Sequence, residues 1–128
     1  MRNVVEDTDI YLVTGGAGFI GSHFVEHLVS QNRKVKVLDK LTYAGNMVNL
    51  QSLINTNKVE FILGDICDAE IVSKALENVS VVVNFAAESH VDRSISNSST
   101  FLETNVIGVG TLLESCLVST RLKKFIQV

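Results

Sequence analysis

Three glycines recur at intervals of three in the segment T-G-G-A-G-F-I-G, residues 14–21. The apolar run 10–13 before them predicts a β-strand, and the amphipathic run after them predicts a helix. At such a junction Gly15 permits a tight turn, Gly18 lets a phosphate approach the backbone, and Gly21 lets the helix pack close to the sheet. The N–H groups at the start of the helix then attract phosphate oxygens. The pattern therefore predicts a pyrophosphate-binding turn, with a glycine turn that binds no ligand as the alternative.

A carboxylate follows the next predicted strand. The short apolar run 35–38 is closed by Asp39, which lies 18 residues beyond Gly21. A carboxylate at this place accepts hydrogen bonds from the adenosine ribose of a dinucleotide and repels a 2′-phosphate. The sequence therefore favours NAD over NADP, although the neighbouring cation Lys40 could tolerate a phosphate.

Apolar runs that predict strands alternate along the chain with amphipathic runs that predict helices. This alternation predicts an α/β fold of the Rossmann type, a doubly wound parallel sheet with strand order 3-2-1-4-5. We expect one domain over residues 1–128, truncated after the fifth strand. Gly108 and Gly110 fall inside the last helix, where each disfavours helix by about 1 kcal/mol, so we expect close packing there. The predicted strands are residues 10–14, 35–38, 59–63, 81–86 and 124–128, and the predicted helices begin near residues 19 and 69 and span about 100–118.

Composition excludes several classes of protein. The 128 residues carry 46% hydrophobic side chains, which excludes a disordered chain. A formal net charge of −3 gives no electrostatic reason to bind nucleic acid or an anionic membrane. The first nine residues lack the apolar segment of a signal peptide, and no apolar run reaches membrane-spanning length. Because Cys67 and Cys116 are far apart in sequence, we expect reduced thiols and a cytoplasmic location.

Two patterns contain residue types that could perform other chemistry. His23 and His27, with a glutamate between them, match the zinc-peptidase pattern H-x-x-E-H, but no third ligand is evident. We therefore expect no metal site. Ser89 stands beside a histidine and near an aspartate, yet residues this close in sequence cannot form the spatial relay of a catalytic triad. We interpret Ser89 as a hydrogen-bonding residue.

Five blocks of sequence together resemble the dTDP-glucose 4,6-dehydratases, a group of extended short-chain dehydrogenases/reductases. The first block is shared with the wider superfamily, including UDP-galactose 4-epimerases, whereas the blocks that begin at Asp39 and Ala86 are more specific. The resemblance extends over residues 10–128, with Val109 replacing the threonine usual in that group. The blocks are T-G-G-A-G-F-I-G-S at 14–22, D-K-L-T-Y-A-G-N at 39–46, G-D-I-C-D at 64–68, A-A-E-S-H-V-D-R-S at 86–94 and E-T-N-V at 103–106.

The resemblance implies a set of residues that contact NAD. One group faces the pyrophosphate, a second the adenosine ribose, a third the adenine and a fourth the nicotinamide side, and Ser89 of the fourth group also reaches the sugar substrate. In that order they are Gly15, Gly18, Phe19, Ile20 and Gly21; Asp39, Lys40, Leu41 and Thr42; Asp65 and Ile66; and Ala86, Ala87, Glu88, Ser89 and Thr104.

The activity that the resemblance implies is NAD-dependent dehydration of dTDP-glucose to dTDP-4-keto-6-deoxyglucose. Hydride leaves C4 of the sugar, water is eliminated across C5 and C6, and hydride returns to C6. In such enzymes the catalytic Ser-Thr-Asp-Glu and Tyr-x-x-x-Lys segments follow the fifth strand. We therefore expect no catalytic residue in this chain, and no dehydratase activity from the chain alone.

The resemblance also implies a homodimer for the full-length protein, in which the helix at about 100–118 forms half of the interface. Its apolar surface is wider than contact with one sheet requires, so we expect the isolated chain to self-associate. Three alternatives remain open: a UDP-sugar 4-epimerase, a UDP-glucose 4,6-dehydratase, or a non-catalytic NAD-binding module.

Overall fold

The computed structural model describes residues 8–42, 46–88 and 95–128. Five parallel strands form one sheet in the order β3-β2-β1-β4-β5, which confirms the predicted fold class and strand order. The order reverses between β1 and β4, because the chain winds outward from β1 in both directions. The strands are β1, Ile10–Thr14; β2, Lys34–Asp39; β3, Val59–Leu63; β4, Val81–Asn84; and β5, Lys124–Gln127.

Helices connect the strands. The first is α1 at Phe19–Ser30, and a 3₁₀ turn at Met47–Asn49 leads into the short α2 at Gln51–Asn55. Asp68 caps α3, Ala69–Ala75, by accepting hydrogen bonds from the backbone N–H groups of the first helical turn, as its position predicts.

The last helix is interrupted. The predicted single helix is divided into α4 at Ser98–Leu102, a π-helical turn at Glu103–Gly108 and α5 at Val109–Leu117. Together these three segments are called the long helix. Runs of π-helix are rare and occur often at functional sites. No helix in the described ranges is long and apolar enough to cross a membrane.

Both faces of the sheet are covered. The neighbouring residues Leu12 and Val13 of β1 are fully buried in two different apolar clusters, because successive side chains of a strand point to opposite faces. Leu12 lies in the cluster formed with α3 and α5, and Val13 in the cluster formed with α1. A central strand buried on both faces explains why β1 is a nearly continuous apolar run.

Close packing in the long helix, which we expect against the sheet or a cofactor, is confirmed at one of its two glycines. A Cβ atom on Gly108 would lie 2.6 Å from two side-chain carbons of Ile66. A Cβ on Gly110 would meet no described atom within 4 Å. The cost of Gly110 in a helix is therefore not offset by a contact within the described part of the chain.

Candidate functional site

A cleft of about 530 Å³ runs along the carboxyl ends of the strands, across the point where the strand order reverses. In open α/β sheets this crevice is where ligands bind. Its walls come from the loops after β1, β2, β3 and β4, from the first turn of α1 and from the π-helical turn. The lining residues are Gly15, Gly18, Phe19, Ile20, Gly21, Leu38, Asp39, Lys40, Thr42, Gly64, Asp65, Ile66, Phe85, Ala86, Ala87, Glu88, Thr104 and Val128.

The glycine turn is built against the loop that follows β4. Gly15 has φ +69°, and its N–H donates a hydrogen bond of 2.9 Å to the carbonyl oxygen of Leu38. A Cβ atom there would lie 2.6 Å from the backbone nitrogen of Ala86. A Cβ on Gly21 would collide with the carbonyl oxygen of Gly15. Both positions therefore require glycine, and both line the cleft beside the start of α1.

Both oxygens of the Asp39 carboxylate are held by backbone donors. Oδ2 accepts a 2.9 Å hydrogen bond from the N–H of Ala17, and Oδ1 accepts one of 2.8 Å from the N–H of Leu41. Each oxygen retains a second lone pair with which to accept from a ligand hydroxyl. Asp39 therefore fixes the glycine turn to the end of β2 and also faces the cleft.

Lys40 and Asp65 form an ion pair at the mouth of the cleft. Lys40 Nζ lies 3.3 Å from Asp65 Oδ2, and both side chains are partly exposed. Burial raises the pKa of the Asp65 carboxyl, but the hydrogen bond from the Cys67 N–H and the charge of Lys40 outweigh it and hold this pKa below its usual value. Asp65 is therefore ionised at neutral pH.

Cys67 lies behind this pair. Burial first, and then the Asp65 carboxylate, raises the pKa of its thiol to about 11. The thiol is therefore protonated at neutral pH, and it donates a 3.4 Å hydrogen bond to the carbonyl oxygen of Glu103. This cysteine is a packing residue and not a nucleophile.

A buried polar chain holds three strand ends level with one another. Thr14 Oγ1 donates to Asn84 Oδ1, and Asn84 Nδ2 donates a 2.8 Å hydrogen bond to Gln127 Oε1. Asn84 Oδ1 also accepts from the N–H of Ala86 at 3.2 Å. Because Asn84 is fully buried, losing these partners would leave unpaired polar atoms in the sheet. These hydrogen bonds between Thr14, Asn84 and Gln127 therefore fix the first residues of the loop that follows β4 and lines the cleft.

The π-helical turn is fastened to the same loop. Asn105 Oδ1 accepts from the N–H of Glu88 at 2.9 Å, while Asn105 Nδ2 donates to the carbonyl oxygen of Glu88 at 3.0 Å. The preceding residue, Thr104, lines the cleft. The π-helical turn therefore supplies Thr104 to the lining of the cleft, and the next residue, Asn105, holds the loop after β4 through two hydrogen bonds to Glu88.

Residues 12–128 match the sequence profile of a family described as GDP-mannose 4,6 dehydratase. The chain belongs to this family. Among curated relatives, a dTDP-glucose 4,6-dehydratase of Streptomyces niveus is 44% identical over 123 residues, which make up 91% of this chain and 36% of the relative. The chain thus spans about a third of the length of the curated dTDP-glucose 4,6-dehydratases it matches, and the resemblance to dTDP-glucose 4,6-dehydratases is confirmed.

Solved structures of the same family and of epimerases are also similar. A dTDP-glucose 4,6-dehydratase of Streptomyces venezuelae, solved with NAD and TYD bound, is 50% identical with a TM-score of 0.80, covering 84% of this chain and 35% of that chain. A UDP-glucose 4-epimerase of Thermotoga maritima, solved with UDP-glucose, is 34% identical with a TM-score of 0.83, covering 92% of this chain and 37% of that chain.

Most of the residues predicted for this site line the cleft together, although they come from five separate stretches of the chain. Leu41 does not line it: its side chain packs against the apolar cluster on the α1 face, and only its backbone contacts Asp39. Ser89 and His90 lie outside the described residues. Four lining residues were not predicted. Three of them directly follow a strand and the fourth is the penultimate residue of β2, a position at the carboxyl edge of the sheet that parallel topology predicts. They are Leu38, Gly64, Phe85 and Val128.

The two histidines of the zinc-peptidase pattern lie on α1 outside the cleft lining. His23 Nδ1 is 2.7 Å from the carbonyl oxygen of Phe19. The rings of His23 and Phe19 pack edge to face, with their centroids 4.9 Å apart. Within the described ranges no group of three or more side chains is arranged to hold a metal ion. His23 is thus engaged with its own helix.

Proposed function

We propose that this chain binds NAD in the cleft and forms the cofactor-binding part of a nucleotide-sugar 4,6-dehydratase that acts on dTDP-glucose. One observation carries the proposal. The Asp39 carboxylate is fixed at the end of β2, where its Oδ2 accepts a 2.9 Å hydrogen bond from the N–H of Ala17 in the glycine turn. A ribose acceptor and a pyrophosphate-binding turn are therefore held together as one unit.

The residues present fit NAD along its length. Phe19, Ile20 and Gly21 in the first turn of α1 line the cleft, so the N–H groups at the start of this helix can face a pyrophosphate. Asp39 is available to the adenosine ribose, and Asp65 with Ile66 forms a polar and an apolar wall for the adenine. Ala86, Ala87, Glu88 and Thr104 line the remaining side, where we place the nicotinamide ribose.

In such a reaction bound NAD supplies reversible hydride acceptance, from C4 of the sugar and back to C6. The work of this chain is to position that cofactor. The Asn105 clamp on Glu88 and the Asn84 chain hold the loop after β4, so the floor of the cleft keeps its place relative to the glycine turn. Our proposal assigns no proton transfer to a residue of this chain.

The main alternative is a UDP-sugar 4-epimerase, which uses the same cofactor fold. An epimerase structure has a TM-score of 0.83 against this chain, so the fold does not separate the two activities. Sequence favours the dehydratase, because relatives with that name reach 50% identity whereas the UDP-glucose 4-epimerase structures reach 38%. The two cysteines are free thiols, which fits the cytoplasmic location that we propose.

The proposal predicts that the purified chain binds NAD more tightly than NADP. The reason is electrostatic, since a 2′-phosphate would face the carboxylate of Asp39. Isothermal titration calorimetry with NAD, NADP and AMP measures both affinities, and AMP tests whether the adenosine half suffices for binding. A chain that is folded by circular dichroism and yet binds neither dinucleotide would contradict the proposal.

We also propose that two copies associate through the long helix. Several apolar side chains on it are at least 43% exposed, although Leu112 and Cys116 of the same helix are buried. Exposed apolar surface of this kind favours association. The exposed set is Leu102, Val106, Ile107, Leu113, Leu117 and the adjoining Val118.

We expect light scattering to show self-association of the chain at micromolar concentration, and Val106→Glu to reduce it. Val48→Glu is a matched control, because Val48 is 79% exposed and Val106 is 61% exposed, but Val48 lies in the 3₁₀ turn away from the long helix. A stable monomer, or an equal response to both substitutions, would exclude the long helix as the interface.

A further inference from the structure

The ends of β2 and β3 bring two opposite charges together at the cleft. Asp39 pairs with Leu63 in the parallel register, and the N–H of Gly64 donates a 3.1 Å hydrogen bond to the carbonyl oxygen of Asp39. A charged residue follows each of these two positions: Lys40 follows Asp39, and Asp65 follows Gly64. Lys40 and Asp65 therefore meet across the strand ends, with Nζ and Oδ2 separated by 3.3 Å.

Lys40 is the only cationic side chain among the described residues that line the cleft. It directly follows Asp39, the residue proposed to accept the ribose hydroxyls. A cation near this place is what accommodates the 2′-phosphate in proteins that bind NADP. From sequence alone, Lys40 thus argues against the preference for NAD that Asp39 predicts.

The position of Asp65 removes this conflict. Its Oδ1 accepts the N–H of Cys67 at 2.9 Å, so the carboxylate is fixed by the backbone while Oδ2 receives Lys40. The flexible partner in the pair is the lysine, which is 40% exposed. A lysine held by a fixed carboxylate presents little net positive charge to a second anion.

We infer that Asp65 acts together with Asp39 in coenzyme choice: it holds the Lys40 ammonium group, so that the lysine does not offset the repulsion of a 2′-phosphate by Asp39. This inference rests on the proposed function, namely NAD binding in this cleft. The formal charge of Asp39, Lys40 and Asp65 together is −1. Removal of the Asp65 charge raises the sum to zero and frees the lysine to contact the phosphate.

The expected result is a change in the ratio of NADP affinity to NAD affinity. Asp65→Asn should raise this ratio about tenfold, because one repulsive charge is lost and one attractive charge is freed near a dianionic group. Lys40→Ala should lower the ratio in both backgrounds. The fall should be smaller in the unsubstituted chain, where the ammonium group is directed to Asp65 and only its longer-range charge is lost, and about tenfold in the Asp65→Asn background, where direct contact with the phosphate is lost as well. Any contact of Asp65 with the adenine is common to both dinucleotides and cancels in the ratio.

The experiment is a double-mutant cycle by calorimetry with NAD and NADP on the unsubstituted chain, both single variants and the double variant. Repeating it at about 0.5 M salt should shrink the Asp65→Asn effect, since partly exposed charges are screened. Glu70→Gln is the matched control: it breaks the Lys74–Glu70 pair, also 3.3 Å long, and neither residue lines the cleft. The ratio should not change in that control.

Four outcomes have distinct meanings. An unchanged ratio in Asp65→Asn would overturn the inference, and so would equal effects of Lys40→Ala in the two backgrounds, because the charges would then act independently. If the unsubstituted chain binds NAD and only the cycle fails, the proposed function stands. If the unsubstituted chain binds neither dinucleotide, the proposed function is wrong and the inference falls with it.

Discussion

Alanine in place of Gly15 is expected to abolish measurable NAD binding and to destabilise the fold by about 3 kcal/mol or more. Gly15 has φ +69°, a conformation that disfavours a non-glycine residue by about 1–2 kcal/mol. The new Cβ would also lie 2.6 Å from the backbone nitrogen of Ala86 and 2.7 Å from the carbonyl carbon of Phe85. Backbone atoms at the end of β4 cannot rotate away as a side chain could, so the turn and the loop must separate. Calorimetry with NAD and urea denaturation measure the two effects.

Gly110→Ala provides the matched control for that substitution. Gly110 lies inside α5, and an added Cβ there would meet no described atom within 4 Å. Alanine should therefore stabilise the helix by about 1 kcal/mol and leave NAD affinity unchanged. The two glycine-to-alanine substitutions are thus predicted to change the free energy of unfolding in opposite directions. Destabilisation of similar size in both variants would contradict the structural account of Gly15.

Residue type and spacing were sufficient to predict that the glycine turn and Asp39 line one cleft. The glycine turn needs no information beyond the strand before it and the helix after it, and Asp39 is identified by its place at a strand end. The same holds for the sheet, because alternating strands and helices leave few topologies open. The glycine turn and Asp39 lie within one βαβ unit, a stretch of about 30 residues.

The contacts that hold the cleft open could not be predicted, because they join residues distant in sequence. Asn84 reaches Thr14, 70 residues away, and Asn105 reaches Glu88 from the π-helical turn, 17 residues away. Hydrophobic periodicity does not distinguish a π turn from an α turn within one helix. Asn84 did offer a signal, since it is an amide in an otherwise apolar buried strand.

Leu41 shows a second limit of the sequence. The resemblance assigned it to the ribose side because it follows Asp39 and Lys40. In the structure it has φ +56°, and its side chain turns into the core while its N–H donates to Asp39. The direction of a side chain in a loop depends on backbone angles, which neighbouring residue types alone do not specify.

Asp39→Ala is expected to reduce NAD affinity by about 1.5–3 kcal/mol, the range for hydrogen bonds to a charged group, or roughly 10- to 150-fold. The preference for NAD over NADP should fall as well, because the charge that repels a 2′-phosphate is lost. The substitution also removes the acceptor for the N–H groups of Ala17 and Leu41. Part of the loss will therefore come from a looser glycine turn, and stability must be measured alongside binding.

Asp68→Ala separates these two contributions. Like Asp39, Asp68 accepts hydrogen bonds from two backbone N–H groups, those of Glu70 and Ile71, but it lies outside the cleft lining. Loss of this cap should lower stability by about 0.5–2 kcal/mol and leave the affinities for NAD and NADP unchanged. A specific ribose contact therefore requires that Asp39→Ala weakens NAD binding while Asp68→Ala, at a similar loss of stability, does not. If NAD affinity and coenzyme preference survive Asp39→Ala intact, Asp39 anchors the turn without touching the ribose.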